Sequence, residues 1–113
     1  KFRFQNAPED IEAAKAGLTK AFHLLCRPES DPEFHHIIIL DELVTCAGTG
    51  LLSREAIMDL VDAYRECRMG ELVLTGRGAW PKLIRKADLV TEMVLGKHYF
   101  YEHKAPARPG IDY

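Results

Sequence analysis

The chain has 113 residues, 47% hydrophobic and 28% charged, a composition that fits one compact globular domain and excludes an intrinsically disordered one. Seventeen acidic against fifteen basic side chains leave a formal charge of -2, so no whole-chain positive field argues for a nucleic-acid or anionic-membrane partner. Apolar runs such as Ile37-Ile38-Ile39-Leu40 are far too short to span a bilayer. Cys26, Cys46 and Cys67 contain no CxxC pair and are odd in number, so neither a zinc knuckle nor a disulfide framework is expected, and a reducing, cytoplasmic setting is the default. The sequence begins at Lys1 with no signal-peptide pattern.

Taken in order, Asn6-Ala7-Pro8-Glu9 carries helix-start signals: Asn6 can cap, Pro8 suits the first turn, and Glu9 can reach back. Ile11, Ala14, Leu18, Phe22 and Leu25 recur at steps of three and four, which predicts a helix to about Cys26, stopped by Arg27-Pro28. Ile37–Leu40 is apolar on both faces and rich in β-branched residues, the pattern of a central parallel strand covered by helices on both sides. A small-residue loop is expected at Cys46-Ala47-Gly48-Thr49-Gly50. Ser53 caps a second helix with Ile57, Leu60, Val61 and Tyr64 on its buried face and Gly70 as its stop.

A second strand is read at Leu72-Val73-Leu74, broken by Thr75-Gly76-Arg77-Gly78. Pro81 then starts a short helix through Leu83, Ile84 and Ala87, and Leu89 to Val94 is a third strand candidate. Residues 96–113 read as a tail that packs on the domain. Alternating helix and strand predicts right-handed crossovers, a parallel sheet, and ligand binding beyond the carboxyl ends of the strands.

Two strand ends carry the chemistry. Ile37–Leu40 followed by Asp41-Glu42 has the form of a Walker B element, in which a carboxylate at the edge of a dry sheet holds Mg²⁺ beside nucleotide phosphates. The alternative is a pair of acids that merely cap a strand. In Thr75-Gly76-Arg77-Gly78 the glycines allow a tight turn, and Arg77 offers a permanently charged fork for phosphate oxygens. Alone it reads rather as an ordinary strand-to-helix turn with a surface arginine, and its pairing with Asp41-Glu42 at a neighbouring strand end reverses that preference in favour of the nucleotide site. Phe2 and Phe4 form either an aromatic wall or a core anchor, and Trp80 is read as packing. His35-His36 point to opposite faces of the chain and make a poor chelating pair. His98 and His103 lie in a basic tail, and Cys46 is assigned to small-residue packing.

Together, Leu40-Asp41-Glu42-Leu43, Leu74-Thr75-Gly76-Arg77-Gly78, Ala87-Asp88-Leu89-Val90-Thr91-Glu92-Met93, Lys97-His98 and Gly110-Ile111-Asp112-Tyr113 resemble the P-loop corrinoid adenosyltransferases, in order and spacing over essentially the whole chain. The resemblance implies a three-layer α/β/α RecA-like fold with a mainly parallel sheet, usually dimeric. It implies transfer of the 5′-deoxyadenosyl group of ATP to the reduced cobalt of a corrinoid, such as cobalamin or cob(I)yrinic acid a,c-diamide, with release of tripolyphosphate. Asp41 and Glu42 then belong at Mg²⁺ and nucleotide, with Thr75, Gly76, Arg77 and Gly78 near the polyphosphate. Glu42 and Arg77 are the expected catalytic residues. Phe2 and Phe4 match the family's aromatic pair under the corrin ring, which excludes the lower axial ligand and eases reduction of the cobalt. A cobalt-reducing flavoprotein or other reductant is the implied partner.

Three departures stand out, one of them Val44-Thr45-Cys46 after Leu43, where the family often has a polar or aromatic residue. No G-x-x-x-x-G-K-[ST] string occurs between Lys1 and Tyr113, and the tail reads Lys104-Ala105-Pro106 where the family tends to Lys-Ala-Gln. The expectation is therefore a single partial domain over 1–113, N-terminally truncated, carrying the Walker B side, and inactive or weakly active as it stands. The alternatives are a non-catalytic corrinoid- or nucleotide-binding module without a phosphate loop and, more remotely, a piece of a RecA-like nucleic-acid ATPase.

Overall fold

The computed structural model describes residues 6–97. The element order is α1 (Pro8–Leu24), β1 (Ile37–Leu40), α2 (Leu43–Thr49), α3 (Arg54–Cys67), β2 (Glu71–Leu74) and α4 (Pro81–Lys86). Strands β1 and β2 pair in parallel, Ile37 opposite Glu71 and Leu40 opposite Leu74, so both run out at the same edge of the sheet. The chain is thus an α/β unit with a small parallel sheet, as its alternating pattern predicts.

Alternation along each strand divides its side chains. Ile38, Leu40, Leu72 and Leu74 pack on the core, whereas Ile37, Ile39 and Val73 are 58%, 62% and 41% exposed. The expectation of helices covering both faces of β1 is not met among the described residues. Composition made both faces apolar, but only one meets the buried cluster of Leu18, Ala21 and Leu25 beside α1, Leu43 and Val44 from α2, Leu52, Ile57, Met58, Leu60 and Val61 around α3, and Trp80 and Leu83. Ile57 and Leu60 are fully buried at its centre.

Local chemistry explains most boundaries. The Ser53 hydroxyl accepts the Ala56 N–H at 3.0 Å and so caps α3. Pro81 opens α4, whose buried residue is Leu83, while Ile84 is exposed. In α1 Pro8 occupies the first turn as expected, but the cap is Ala7, and Asn6 instead donates its amide to the Thr49 carbonyl at 2.6 Å. The buried face of α1 includes Ala21, which packs in the core cluster, and leaves Phe22 39% exposed. Gly70 does not stop α3. That helix closes at Arg68 in the left-handed region, and Gly70 (φ +74) lies at the entry to β2, where a Cβ would fall 2.8 Å from the His35 carbonyl.

Three further expectations are corrected. Residues 46–50 are not a loop: Cys46 to Thr49 form the body of α2, and Gly50 ends it at φ +82. Small residues fit a short helix as well as a turn, and packing of Leu43 and Val44 decides for the helix. No third strand forms at 89–94 among the described residues. Leu89, Val90, Met93 and Val94 are exposed, since β propensity without a neighbouring strand supplies no ladder. Finally, Cys26 and Cys67 form a disulfide, their Cα atoms 5.4 Å apart and 41 positions apart in sequence. Spacing along the chain could not show that the ends of α1 and α3 meet, and the reducing setting inferred from the cysteines loses its basis.

Candidate functional site

The site grows from the parallel register. Because Leu40 and Leu74 are partners, the residues that follow them, Asp41-Glu42 and Thr75-Gly76-Arg77, leave the sheet side by side. The Thr75 N–H donates to the Leu40 carbonyl at 3.3 Å, and the Val44 N–H donates to the Thr75 carbonyl at 3.1 Å, which continues the pairing past the strands.

Two threonine hydroxyls stitch these segments together. Thr75 Oγ1 donates to Asp41 Oδ1 at 2.7 Å and accepts the Glu42 N–H at 2.9 Å. Thr45 Oγ1 donates to Glu42 Oε2 at 3.0 Å and accepts the Arg77 N–H at 3.0 Å. Glu42 is the N-cap of α2 with φ +61, an unfavourable conformation for a residue with a Cβ, and the bond from its N–H to Thr75 helps hold it there. Gly76 (φ +137) is forced by closeness: a Cβ would lie 2.6 Å from the Thr45 nitrogen and 2.7 Å from Thr45 Oγ1. Gly78 (φ +83) faces open space, so only its backbone conformation favours glycine.

The structure therefore brings Asp41, Glu42, Thr75, Gly76, Arg77 and Gly78 to one edge of the sheet. Phe2, Phe4, His98 and His103 lie outside the described residues. The Arg77 side chain is exposed and makes no hydrogen bond or ion pair among the described residues, so its five N–H donors remain available. Asp41 and Glu42 are exposed, and each engages one carboxylate oxygen with a hydroxyl. A cleft of about 270 Å³ opens beside Asp41, lined by Ala14, Gly17, Leu18, Ile39, Leu40, Leu43, Cys46 and Leu52. Burial, and secondarily the charge of Glu42, pushes the Cys46 thiol above its ordinary range, which keeps it protonated and consistent with packing.

Thr45 is the residue that sequence reasoning missed. Its signal is present, a hydroxyl three positions after Glu42 at helical spacing, but assignment of this stretch to the approach of a loop hid that spacing.

The model of the family described as ATP:corrinoid adenosyltransferase BtuR/CobO/CobP matches residues 1–113. The chain belongs to this family. It is also 35% identical over 109 residues to a corrinoid adenosyltransferase of Pseudomonas aeruginosa, an alignment that covers 96% of the chain and 50% of that relative. The chain thus spans about half the length of the curated relative it matches. No solved structure gives a significant match. No helix among the described residues is long and apolar enough to cross a membrane.

Proposed function

We propose that the chain carries the nucleotide-contacting strand ends of a corrinoid adenosyltransferase, which transfers the 5′-deoxyadenosyl group of ATP to the reduced cobalt of a corrinoid and releases tripolyphosphate. The observation that carries this reading is the bracket itself: two carboxylates and the backbone of the Arg77 turn held on one sheet edge by Thr75 and Thr45, with the Arg77 guanidinium unpaired among the described residues, in a chain of this family.

Each group has a role that follows from its chemistry. Arg77 binds polyphosphate oxygens with a planar fork of N–H donors and so favours departure of the leaving group. The Gly76–Gly78 turn lets backbone approach the phosphates. Asp41 and Glu42 fit a hard divalent cation, since each presents an exposed carboxylate oxygen with no protein partner among the described residues. Two protein oxygens suit Mg²⁺, which takes its remaining ligands from phosphates and water. When bound there, Mg²⁺ would neutralise charge on the triphosphate. Phe2 and Phe4 would contact the corrin ring. The described elements would belong to a three-layer RecA-like domain, a partial one within 1–113, in a dimeric enzyme served by a separate cobalt reductant.

The decisive experiment supplies ATP, Mg²⁺ and chemically reduced cobalamin to the protein expressed from its complete coding sequence and records the visible spectrum. Appearance of the adenosylcobalamin spectrum, dependent on both ATP and Mg²⁺, is the expected result. Binding of ATP or corrinoid without turnover supports the non-catalytic module instead, and absence of both refutes the reading.

A further inference from the structure

Thr45 holds the two halves of the site together, yet it belongs to neither motif. A hydroxyl has one proton to give and can accept in return. With its acceptor role taken by the Arg77 N–H, at 3.0 Å, the proton of Thr45 goes to Glu42 Oε2, also at 3.0 Å. Thr49, one turn further along α2, shows the ordinary local alternative, with its hydroxyl turned to the Thr45 and Cys46 carbonyls of its own helix. Thr45 instead reaches 32 positions along the chain to the turn after β2. The turn has no slack against it, since a Cβ at Gly76 would collide with both its nitrogen and its hydroxyl. The Glu42 carboxylate makes no cap bond to α2, so its orientation rests on Thr45.

We propose that Thr45 is a positioning residue of the nucleotide site, coupling the Glu42 carboxylate to the backbone of the Arg77 turn so that the two present a fixed frame to a metal-bound polyphosphate. This rests on the function proposed above and goes beyond it by naming a residue outside the Walker B and glycine-turn motifs. Thr45→Val keeps the shape of the side chain and removes both hydrogen bonds, while Thr45→Ser keeps the hydroxyl.

The test uses the protein from its complete coding sequence and reads three quantities. In the absence of ligand, the Arg77 amide is protected from hydrogen exchange in wild type and Thr45→Ser and exchanges about tenfold faster in Thr45→Val, as loss of one hydrogen bond predicts. The Mg²⁺ concentration for half-maximal ATP binding rises about tenfold in Thr45→Val, the scale of a bond to a charged group, and stays within twofold of wild type in Thr45→Ser. The KM for corrinoid is unchanged in both. Equal exchange at Arg77 in wild type and Thr45→Val overturns the proposal, as does unaltered Mg²⁺ dependence with ATP binding intact. A rise in Arg77 exchange and in the required Mg²⁺ concentration of the same size in Thr45→Ser also overturns it. Failure of wild type to bind Mg²⁺ and ATP at all identifies the function reading as the one at fault, and with it the positioning role, whatever the Arg77 exchange.

Discussion

At the scale of single residues, two glycines of one motif have different reasons to be glycine. Gly76 sits against the backbone of Thr45, whereas Gly78 faces open space with only a positive φ to satisfy. Gly76→Ala should therefore cost about 1–3 kcal/mol and disturb the Glu42–Thr45–Arg77 bonds, while Gly78→Ala costs about 1 kcal/mol. Urea denaturation of the two variants checks this, and equal losses would contradict the packing argument. Arg77 differs again, because its side chain has no protein partner among the described residues. Arg77→Ala should leave the denaturation midpoint nearly unchanged and weaken ATP binding roughly 10- to 100-fold, the range of a charge-assisted contact. Calorimetry with ATP and Mg²⁺ measures it, and undiminished affinity would remove Arg77 from the site.

Among elements, the ends of α1 and α3 are joined by Cys26–Cys67. Closing a loop of 41 positions restricts the unfolded chain, so the Cys26→Ser, Cys67→Ser pair should lose about 2–4 kcal/mol. A wild-type protein whose melting temperature is unmoved by dithiothreitol would show that the disulfide is not populated. The end of α4 and the segment after it are tied to α3 and its C-cap by charge: Lys86 meets Asp62 at 2.9 Å, and Asp88 meets Arg68 at 2.8 Å and Arg65 at 3.5 Å. The hydrogen bond and charge of Arg68, with a smaller contribution from Arg65, hold the Asp88 carboxyl below its ordinary value of 3.8. Its native form thus binds a proton less readily than its unfolded form, so the stabilisation is complete above that ordinary value and fades as pH falls below it. Asp88→Asn should lower the melting temperature slightly near pH 7, the loss being small because the pair is exposed and screened by salt, and should converge with wild type as pH falls below that ordinary value, so that the acid limb is flatter. An unchanged acid limb would assign the pH dependence elsewhere.

For the whole molecule, the telling feature is the sheet with one apolar face packed and the other exposed at Ile37, Ile39 and Val73. Such a surface binds hydrophobic dyes. Ile39→Lys with Val73→Lys should lower 1-anilinonaphthalene-8-sulfonate fluorescence severalfold while changing stability by about 0.5 kcal/mol or less, as expected of positions outside the core. A large loss of stability would mean that this face is packed in solution.

The sequence by itself determined the elements whose signals are local: Ile37–Leu40 and the strand ending at Leu74, the Ser53 cap, the Pro81 start, and the acids and glycine turn that carry the family likeness. These depend on periodicity and on groups only a few positions apart. The tertiary structure alone decided that Cys46–Thr49 is helical, that Phe22 yields to Ala21, that Leu89–Val94 forms no strand, and that Cys26 meets Cys67. It also decided that Thr45 links Glu42 to Arg77. Each of these depends on which distant segment lies alongside, and a parallel register that sets Leu40 beside Leu74 is a relation between two strands that neither strand contains.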